Sequence, residues 1–173
     1  MKPRKFDLVR AESTAEALAA LSESGGNAKI FAGGQSLMAM MNLRLADPDV
    51  MVDISQVTEL SYLKEVGDKL EIGAAATQVE LLSWPGLAEK LPLLHQAIPH
   101  LGHFQTRNRG TICGSLAHSD PSSELPLCLA TLEGEVVLRS VRGERVLSAA
   151  DFQLGMMTTA REDDELIVAA RYP

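Results

Sequence analysis

A turn of small residues, Ala32-Gly33-Gly34-Gln35-Ser36, constrains the fold of this chain more than any other stretch. The apolar pair Ile30-Phe31 before it is typical of a strand, and segment 37–45 after it is typical of a helix that ends at Ala46-Asp47-Pro48. The first N–H groups of a helix lack internal partners and carry the positive end of the helix dipole, and glycines let a ligand approach the backbone closely. The junction therefore predicts an anion site, and a nucleotide cofactor is the first hypothesis for its ligand.

The first 55 residues alternate between strand and helix patterns. The first helix opens with the capping-box sequence Ser13-Thr14-Ala15-Glu16 and ends at Gly25-Gly26. Alternation of this kind predicts a small parallel sheet with helices packed against it. The predicted strands are 6–9, 29–31 and 50–54, and the predicted helices are about 14–24 and 37–45.

After residue 55 the pattern changes to hairpins. The strand patterns 62–66 and 70–74 flank one glycine turn, and 135–140 and 145–147 flank a second. Helical segments punctuated by proline lie at 77–83, 87–100 and 123–132, and a last strand pattern begins at residue 166. We therefore predict an α+β fold with two lobes. Residues 1–55 form a small parallel sheet, and residues 56–173 form a larger, mainly antiparallel sheet with helices.

A second stretch rich in glycine and hydroxyl residues extends from Arg107 to Glu124. It contains Asp120-Pro121, which fits the cap and first turn of a following helix. Two such loops suggest one elongated ligand, although turn and capping duties alone would also explain either loop. Neither loop matches the GxGxxG or GxxxxGK[ST] fingerprint, so a Rossmann dehydrogenase and a P-loop phosphotransferase are not expected.

The charge and cysteine content narrow the partners and the compartment. A formal charge of −7 argues against nucleic acid or an anionic membrane as a partner, because both usually need a basic face. Cys113 and Cys128 are too few and too far apart for a cysteine-ligated cluster or zinc site, and free thiols fit a reducing compartment. No apolar run approaches the roughly 20 residues of a membrane span. We predict a cytoplasmic protein with no nucleic-acid or membrane partner.

Other reactive side chains support weaker hypotheses. His118 and Asp120 with nearby serines could suggest a hydrolase, but no GxSxG elbow is present. His100 and His103 are typical loop histidines, and no metal site is predicted.

Three further patterns have a structural explanation. Core packing explains the methionines and leucines of segment 37–45 better than a cofactor box does. The acidic run 162–165 predicts a solvated turn before the last strand. Arg107 and Arg109 could reach a phosphate, but they are typical of a solvated loop.

Four motifs follow one another along the chain: AGGQSL, MxxRLxxPxxxVDIS, RNRGTIxGSLAHxDPxxELP and EDDELI. In this order and spacing they resemble the FAD-binding (medium) subunit of molybdenum hydroxylases, the family of carbon monoxide dehydrogenase and xanthine dehydrogenase. The resemblance covers nearly the whole chain. It implies a two-lobed FAD-binding domain of the vanillyl-alcohol oxidase type, with FAD lying between the lobes near the predicted boundary at residue 55.

The resemblance also implies which residues contact FAD. The glycine turn would cradle the pyrophosphate, Asp120 and Glu124 would contact the sugars, and Ile167 would pack beside the ring system. His118 is expected nearby, and no side chain is assigned as a catalytic acid or base. The implied cofactor-binding set is Lys29, Ala32, Gly33, Gly34, Gln35, Ser36, Leu37, Leu101, Gly102, Thr111, Gly114, Ser115, Asp120, Glu124 and Ile167.

The chain departs from the family pattern at two points. Cys113 stands where many relatives have the first of two glycines, so either its side chain crowds the loop or the backbone there needs no positive φ. The family's C-terminal domain is expected to be absent, because the strand pattern 166–173 is the last segment of the chain.

The function implied by the resemblance is electron transfer. FAD would pass electrons from an iron–sulfur small subunit with two 2Fe-2S clusters to an external acceptor, while a molybdopterin large subunit hydroxylates the substrate. The alternative hypothesis is a truncated, non-redox assembly or docking module of the same fold that binds no flavin. A stand-alone flavin oxidase of the same superfold is a third hypothesis.

Overall fold

The first lobe is a small parallel sheet with two helices. The computed structural model describes residues 2–173. The elements of this lobe are β1 (Asp7–Arg10), α1 (Thr14–Glu23), β2 (Ala28–Phe31), α2 (Gln35–Asn42) and β3 (Val50–Asp53). The strands lie in the order β1-β3-β2, and both pairings are parallel. The prediction from the strand–helix alternation is confirmed.

Helix α1 forms where its capping signal predicts. The Ser13 hydroxyl oxygen accepts a hydrogen bond from the N–H of Glu16 at 3.2 Å. The reciprocal half of the capping box differs from the expected pattern, because the Glu16 carboxylate accepts from the N–H of Glu12 at 2.9 Å. Ala17 and Leu21 are buried on the face that packs against β3, which fixes the helix to the sheet.

Helix α2 is shorter and less buried than its sequence predicts. It ends before residue 45, and Met41 is the one fully buried side chain among the methionines and leucines of this segment. Leu43 and Leu45 are 56% and 72% exposed. Leu37 and Met40 line the cleft between the lobes. The prediction of core packing is therefore wrong for most of the segment, because one face of α2 turns toward the cleft rather than toward the sheet.

The second lobe contains an antiparallel sheet whose central strand is the last in the sequence. Its strands are β4 (Leu63–Val66), β5 (Lys69–Gly73), β6 (Glu135–Ser140), β7 (Gly143–Ser148), β8 (Gln153–Gly155), β9 (Thr158–Thr159) and β10 (Leu166–Tyr172). Five of them lie in the order β4-β5-β10-β6-β7, and β8 and β9 form a separate two-stranded hairpin. Both predicted hairpins, β4-β5 and β6-β7, are confirmed.

Short helices surround this sheet. They are α3 (Gln78–Leu82), α4 (Leu87–Lys90), α5 (Pro92–Ala97), α6 (Phe104–Arg107), α7 (Ile112–His118), α8 (Glu124–Thr131) and α9 (Ala149–Phe152). The capping box of Thr77 and Glu80 is complete at the start of α3. The predicted segment 87–100 is divided, because Pro92 begins a new helix and a 3-10 turn follows it. Among residues 2–173, no helix has the length and apolar character needed to cross a membrane.

Helix α7 lies inside the stretch 107–124, which the sequence suggests is a loop. Thr111 is its N-cap, and Ile112, Cys113 and Leu116 are buried. Burial of this face against β5 and β10 stabilises a helix that glycine and serine would otherwise disfavour. The second glycine-rich stretch is therefore a helix start, like the first.

A continuous hydrophobic core joins the two lobes. Leu21 of α1 and Val52 of β3 belong to the same buried cluster as Ile72 of β5 and Leu138 of β6. Helix α1 also packs against β6. The two sheets are therefore held in a fixed relation, and this relation determines the width of the cleft. The division into domains at residue 55 stays a prediction.

Candidate functional site

A cavity of about 640 Å³ opens between the two lobes. The first lobe contributes the turn before α2, and the second contributes the ends of α7, the segment that follows it and the start of β10. Its wall includes every residue predicted to contact the cofactor: Lys29, Ala32, Gly33, Gly34, Gln35, Ser36, Leu37, Leu101, Gly102, Thr111, Gly114, Ser115, Asp120, Glu124 and Ile167. His118 also lies on this wall. The fold thus brings the whole set together, and the individual contacts with a cofactor stay predictions.

Two glycines shape the turn before α2. Gly34 is the N-cap of the helix and has a left-handed backbone conformation with φ 69°, and a Cβ atom on it would lie 2.3 Å from the ring of Phe31. A Cβ atom on Gly33 would lie 2.1 Å from the carbonyl oxygen of Arg109 in the other lobe. No side chain within residues 2–173 caps this helix start. Its first N–H groups are therefore free to bind an anion in the cavity.

Thr111 and its neighbours form the opposite wall. The Thr111 hydroxyl oxygen accepts a hydrogen bond from the N–H of Gly114 at 3.0 Å and so caps α7. The hydroxyls of Ser115 and Ser123 lie 3.0 Å apart and join α7 to the start of α8. These contacts fix the orientation of the hydroxyl-rich wall before any ligand is bound.

Asp120 does not cap the following helix, which corrects the prediction. The N-cap of α8 is Ser123. Asp120 instead closes a turn, because its Oδ1 accepts from the N–H of Ser122 at 2.9 Å and from the Ser122 hydroxyl at 2.8 Å. These hydrogen bonds, the backbone one first, lower the pKa of Asp120. The carboxylate is therefore held ionised at the cavity wall, where it can accept hydrogen bonds from sugar hydroxyls.

Arg107 supports the wall rather than facing a phosphate. Its Nη1 donates to the carbonyl oxygens of Leu101 and Gly102 at 3.0 and 3.1 Å. The guanidinium therefore fixes the backbone of this predicted contact position.

Within residues 2–173 no group of three or more His, Cys, Asp or Glu side chains could hold a metal ion.

Cys113 fits the site without crowding it. It lies in α7, its φ is not positive, and its Sγ is 3.6 Å from the carbonyl oxygen of Ile72 in β5. Burial raises the pKa of the thiol to about 12, so Cys113 is an unreactive, protonated side chain. Of the two explanations for this departure from the family pattern, the structure supports the one in which the backbone needs no positive φ.

The acidic run before β10 is not uniformly solvated, which corrects the prediction from its charge. Glu162 and Asp163 are exposed, but Glu165 is buried and accepts from Nε and Nη2 of Arg145 at 2.7 and 2.8 Å. Burial acts to raise the pKa of Glu165, but the hydrogen bonds from Arg145 outweigh it and the pKa is lowered. Arg161 Nη1 donates to the carbonyl oxygen of Glu165 at 2.8 Å. Arg161 and Glu165 both line the cavity.

Sequence reasoning did not assign Gln78, Arg161 and Glu165 to the site. Gln78 lies within a capping box that already explains the local sequence. Arg161 precedes the acidic run 162–165 and Glu165 ends it, and such a run suggests solvent exposure. No local signal separates them from ordinary surface residues, because their position on the wall depends on how the lobes pack.

The wall suits a flavin dinucleotide in its donors, acceptors and apolar surface. Free N–H groups at the start of α2 can bind a pyrophosphate, and Asp120 and Glu124 offer acceptors to sugar hydroxyls. Ile167 is buried at the cavity and offers apolar surface to a ring system. Gln78 lines the cavity, and its buried side-chain oxygen, Oε1, has no hydrogen-bond partner within residues 2–173. The residues present therefore fit the group.

Fold and cavity together define a two-lobed α+β protein whose cavity between the lobes fits a dinucleotide cofactor. The sequence profile of the family described as "FAD binding domain in molybdopterin dehydrogenase" matches residues 4–173. The chain belongs to this family, and FAD is its cofactor. The resemblance carried by the four motifs and the predicted fold class are confirmed.

Similar proteins are subunits of larger dehydrogenases. The glyceraldehyde dehydrogenase medium chain of Sulfolobus acidocaldarius is 39% identical over 173 residues, which are 100% of this chain and 61% of that protein. The carbon monoxide dehydrogenase medium chain of Hydrogenophaga pseudoflava is 38% identical, over 100% of this chain and 60% of that protein. A solved structure of carbon monoxide dehydrogenase from Hydrogenophaga pseudoflava superposes with a TM-score of 0.95 at 39% identity, covering 100% of this chain and 60% of that one. The chain thus spans about three fifths of the length of these relatives.

Proposed function

We propose that this chain belongs to the flavoprotein subunit of a cytoplasmic molybdenum hydroxylase. The observation that carries the proposal is the meeting of the two glycine-rich helix starts across one cavity, with Gly33 against the backbone of Arg109. When bound, FAD would supply electron transfer from the iron–sulfur clusters of a partner subunit to an external acceptor.

The residues of this chain bind and orient the cofactor in this proposal. The turn around Gly33 and Gly34 presents backbone N–H groups to the pyrophosphate, which suits a chain whose net charge is −7. Asp120 and Glu124 accept hydrogen bonds from the sugar hydroxyls, and Ile167 packs beside the ring system. No side chain of the chain is assigned a catalytic acid or base role.

The partners proposed are an iron–sulfur small subunit with two 2Fe-2S clusters and a molybdopterin large subunit. The medium chains and subunits named above support this assembly by family membership. The non-redox docking module is the less favoured alternative, because the cavity is open and both glycines of its turn are retained.

The test uses the full-length protein produced together with its neighbouring subunits. We expect bound FAD in the purified complex, visible by flavin absorption, and bleaching of that absorption after the iron–sulfur clusters are reduced. Gly155→Ala is a control substitution that should retain FAD. Gly155 lies on the exposed β8-β9 hairpin, and the added methyl group would have nothing within 4 Å. A complex that assembles but shows no flavin absorption and takes up no added FAD would favour the docking module instead.

A further inference from the structure

Gln78 is a buried polar side chain on the cavity wall that no capping or packing role explains. It is 6% exposed, and its backbone N–H donates to the carbonyl oxygen of Gly110 at 2.8 Å. Its Oε1 is buried and has no hydrogen-bond partner in residues 2–173. Its Nε2 lies beside Gly110, where a Cβ atom added to the glycine would be 3.1 Å away. None of the side-chain hydrogen bonds around Thr77 and Glu80 uses this Nε2.

An unsatisfied buried amide oxygen is costly for the protein, and such groups are rare in native structures. The start of α3 does not need this amide, because Thr77 and Glu80 already complete the capping box. An apolar side chain of the same length would fill the same volume without leaving a polar atom unpaired. A glutamine at this position therefore indicates a partner that is supplied by the ligand.

The place of Gln78 in the site narrows the identity of that partner. Gly110, which receives the backbone hydrogen bond of Gln78, belongs to the segment against which Gly33 of the other lobe packs. Gln78 therefore lies beside the seam where the two lobes meet, close to the turn assigned to the pyrophosphate. The groups of FAD that adjoin a pyrophosphate are the ribityl chain on one side and the ribose on the other.

We propose that Gln78 positions FAD by a hydrogen bond between its side-chain amide and a hydroxyl of the ribityl or ribose portion. This assignment rests on the proposed function, because it requires FAD in the cavity. The amide oxygen needs a donor, and a pyrophosphate at neutral pH has none to offer. A hydroxyl both donates and accepts, so it satisfies the amide in either of its two orientations.

The first experiment compares Gln78→Met with the wild-type full chain. Methionine keeps the length and volume of glutamine but makes no strong hydrogen bond. FAD affinity is measured by titration of the flavin-free protein, and stability by urea unfolding of the same flavin-free protein. We expect affinity for FAD to fall about tenfold, while the flavin-free variant is as stable as the wild type or more stable, because an orphaned amide has been removed.

Gln96→Met on the exposed face of α5 is the matched control, and both its FAD affinity and its stability should equal those of the wild type. An equal FAD affinity of Gln78→Met and wild type would overturn the assignment, as would a weakened affinity accompanied by a matching loss of stability. A wild-type chain that takes up no FAD would overturn the proposed function together with this assignment, so the two failures are distinguishable.

Fragments of the cofactor separate the two sources of the hydroxyl. Riboflavin, adenosine and inorganic pyrophosphate are used as competitors that displace FAD from the wild type and from Gln78→Met. A weaker competition by riboflavin in the variant assigns the contact to the ribityl chain, and a weaker competition by adenosine assigns it to the ribose. A change confined to pyrophosphate, or no change with either hydroxyl-bearing fragment, would overturn the assignment to a hydroxyl.

Discussion

Gly33 in the first lobe lies directly against the carbonyl oxygen of Arg109 in the second, where a Cβ atom on the glycine would be 2.1 Å from that oxygen. The lobes therefore touch at the glycine turn before α2 and not only through the hydrophobic core. Backbone meets backbone at this point, so neither side can move aside by rotating a side chain. The geometry of the glycine turn and the spacing of the lobes therefore cannot change independently.

Substitution of Gly33 should damage both stability and cofactor binding. Gly33→Ala places a methyl group against the backbone of Arg109, so the lobes must separate locally. We expect a loss of about 2–3 kcal/mol in the free energy of unfolding, as for overpacked sites, and a larger loss in FAD affinity. Urea unfolding and FAD titration measure the two effects. Gly155→Ala, which meets nothing within 4 Å and has no positive φ, should leave both unchanged. Wild-type affinity in Gly33→Ala would contradict this account of the turn.

Gly34 is required for a different reason, which a second matched control can isolate. Gly34 has φ 69° and Gly67 has φ 64°, but only Gly34 has a neighbour that an added Cβ would strike, the ring of Phe31. Gly67→Ala should cost about 1 kcal/mol for its left-handed conformation alone. Gly34→Ala should cost more and should also weaken FAD binding, since the start of α2 would be displaced. Equal unfolding midpoints in the two variants would show that the clash with Phe31 is relieved at no cost.

Local patterns in the sequence predict most of the fold. The strand–helix alternation of the first lobe and the two hairpins of the second depend on residues close in sequence, and both are present. The position of β10 in the centre of the larger sheet is a long-range property, and no local signal encodes it. Helix α7 could not be predicted from propensity, because Gly114 and Ser115 disfavour a helix that the Thr111 cap and the burial of Ile112 stabilise.

Sequence motifs could predict the glycine turn and the segment 107–124, whereas three other residues of the cavity wall had no such signal. Gln78, Arg161 and Glu165 reach the cavity because separate elements pack together around it. Met41 and Leu45 illustrate the same limit, since both are apolar residues of one segment but Met41 is buried and Leu45 is exposed. Hydrophobicity alone could not decide which of them faces the core.

The Thr111 hydroxyl should act as a cap and not merely as a surface group. Thr111→Val keeps the shape of the side chain but removes the acceptor for the N–H of Gly114. We expect a loss of about 1 kcal/mol in the free energy of unfolding and weaker FAD binding, because the start of α7 frays at the cavity. Thr111→Ser retains the acceptor and should retain most of both. If Thr111→Val and Thr111→Ser have equal urea midpoints, the cap contributes nothing.

Glu71 lies in β5 of the larger sheet, away from the cavity, and its donors are on the neighbouring strands β4 and β10 or directly before β4. Its carboxylate accepts from the Tyr62 hydroxyl at 2.8 Å, from Lys64 Nζ at 2.9 Å and from Arg171 Nε at 2.6 Å. Burial acts to raise its pKa, but these hydrogen bonds outweigh burial and lower the pKa from its ordinary 4.5 to about 2. Burial, with the hydrogen bond to Glu71, raises the pKa of Tyr62 above its usual range, so the hydroxyl remains a donor.

This pKa shift predicts a specific dependence of stability on pH. Because the pKa of Glu71 is lower in the folded state, the ionised carboxylate stabilises the fold fully above about pH 4.5, and this contribution is lost as the pH falls toward 2. Glu71→Gln removes it, so the wild type should exceed the variant by up to about 3 kcal/mol at pH 7 and by progressively less below pH 4.5. Urea unfolding at several pH values measures the difference, and Glu89→Gln on the exposed face of α4 controls for a lost surface charge. A difference between wild type and Glu71→Gln that stays constant from pH 7 to pH 3 would mean that the hydrogen-bonded carboxylate is not the source of the stabilisation.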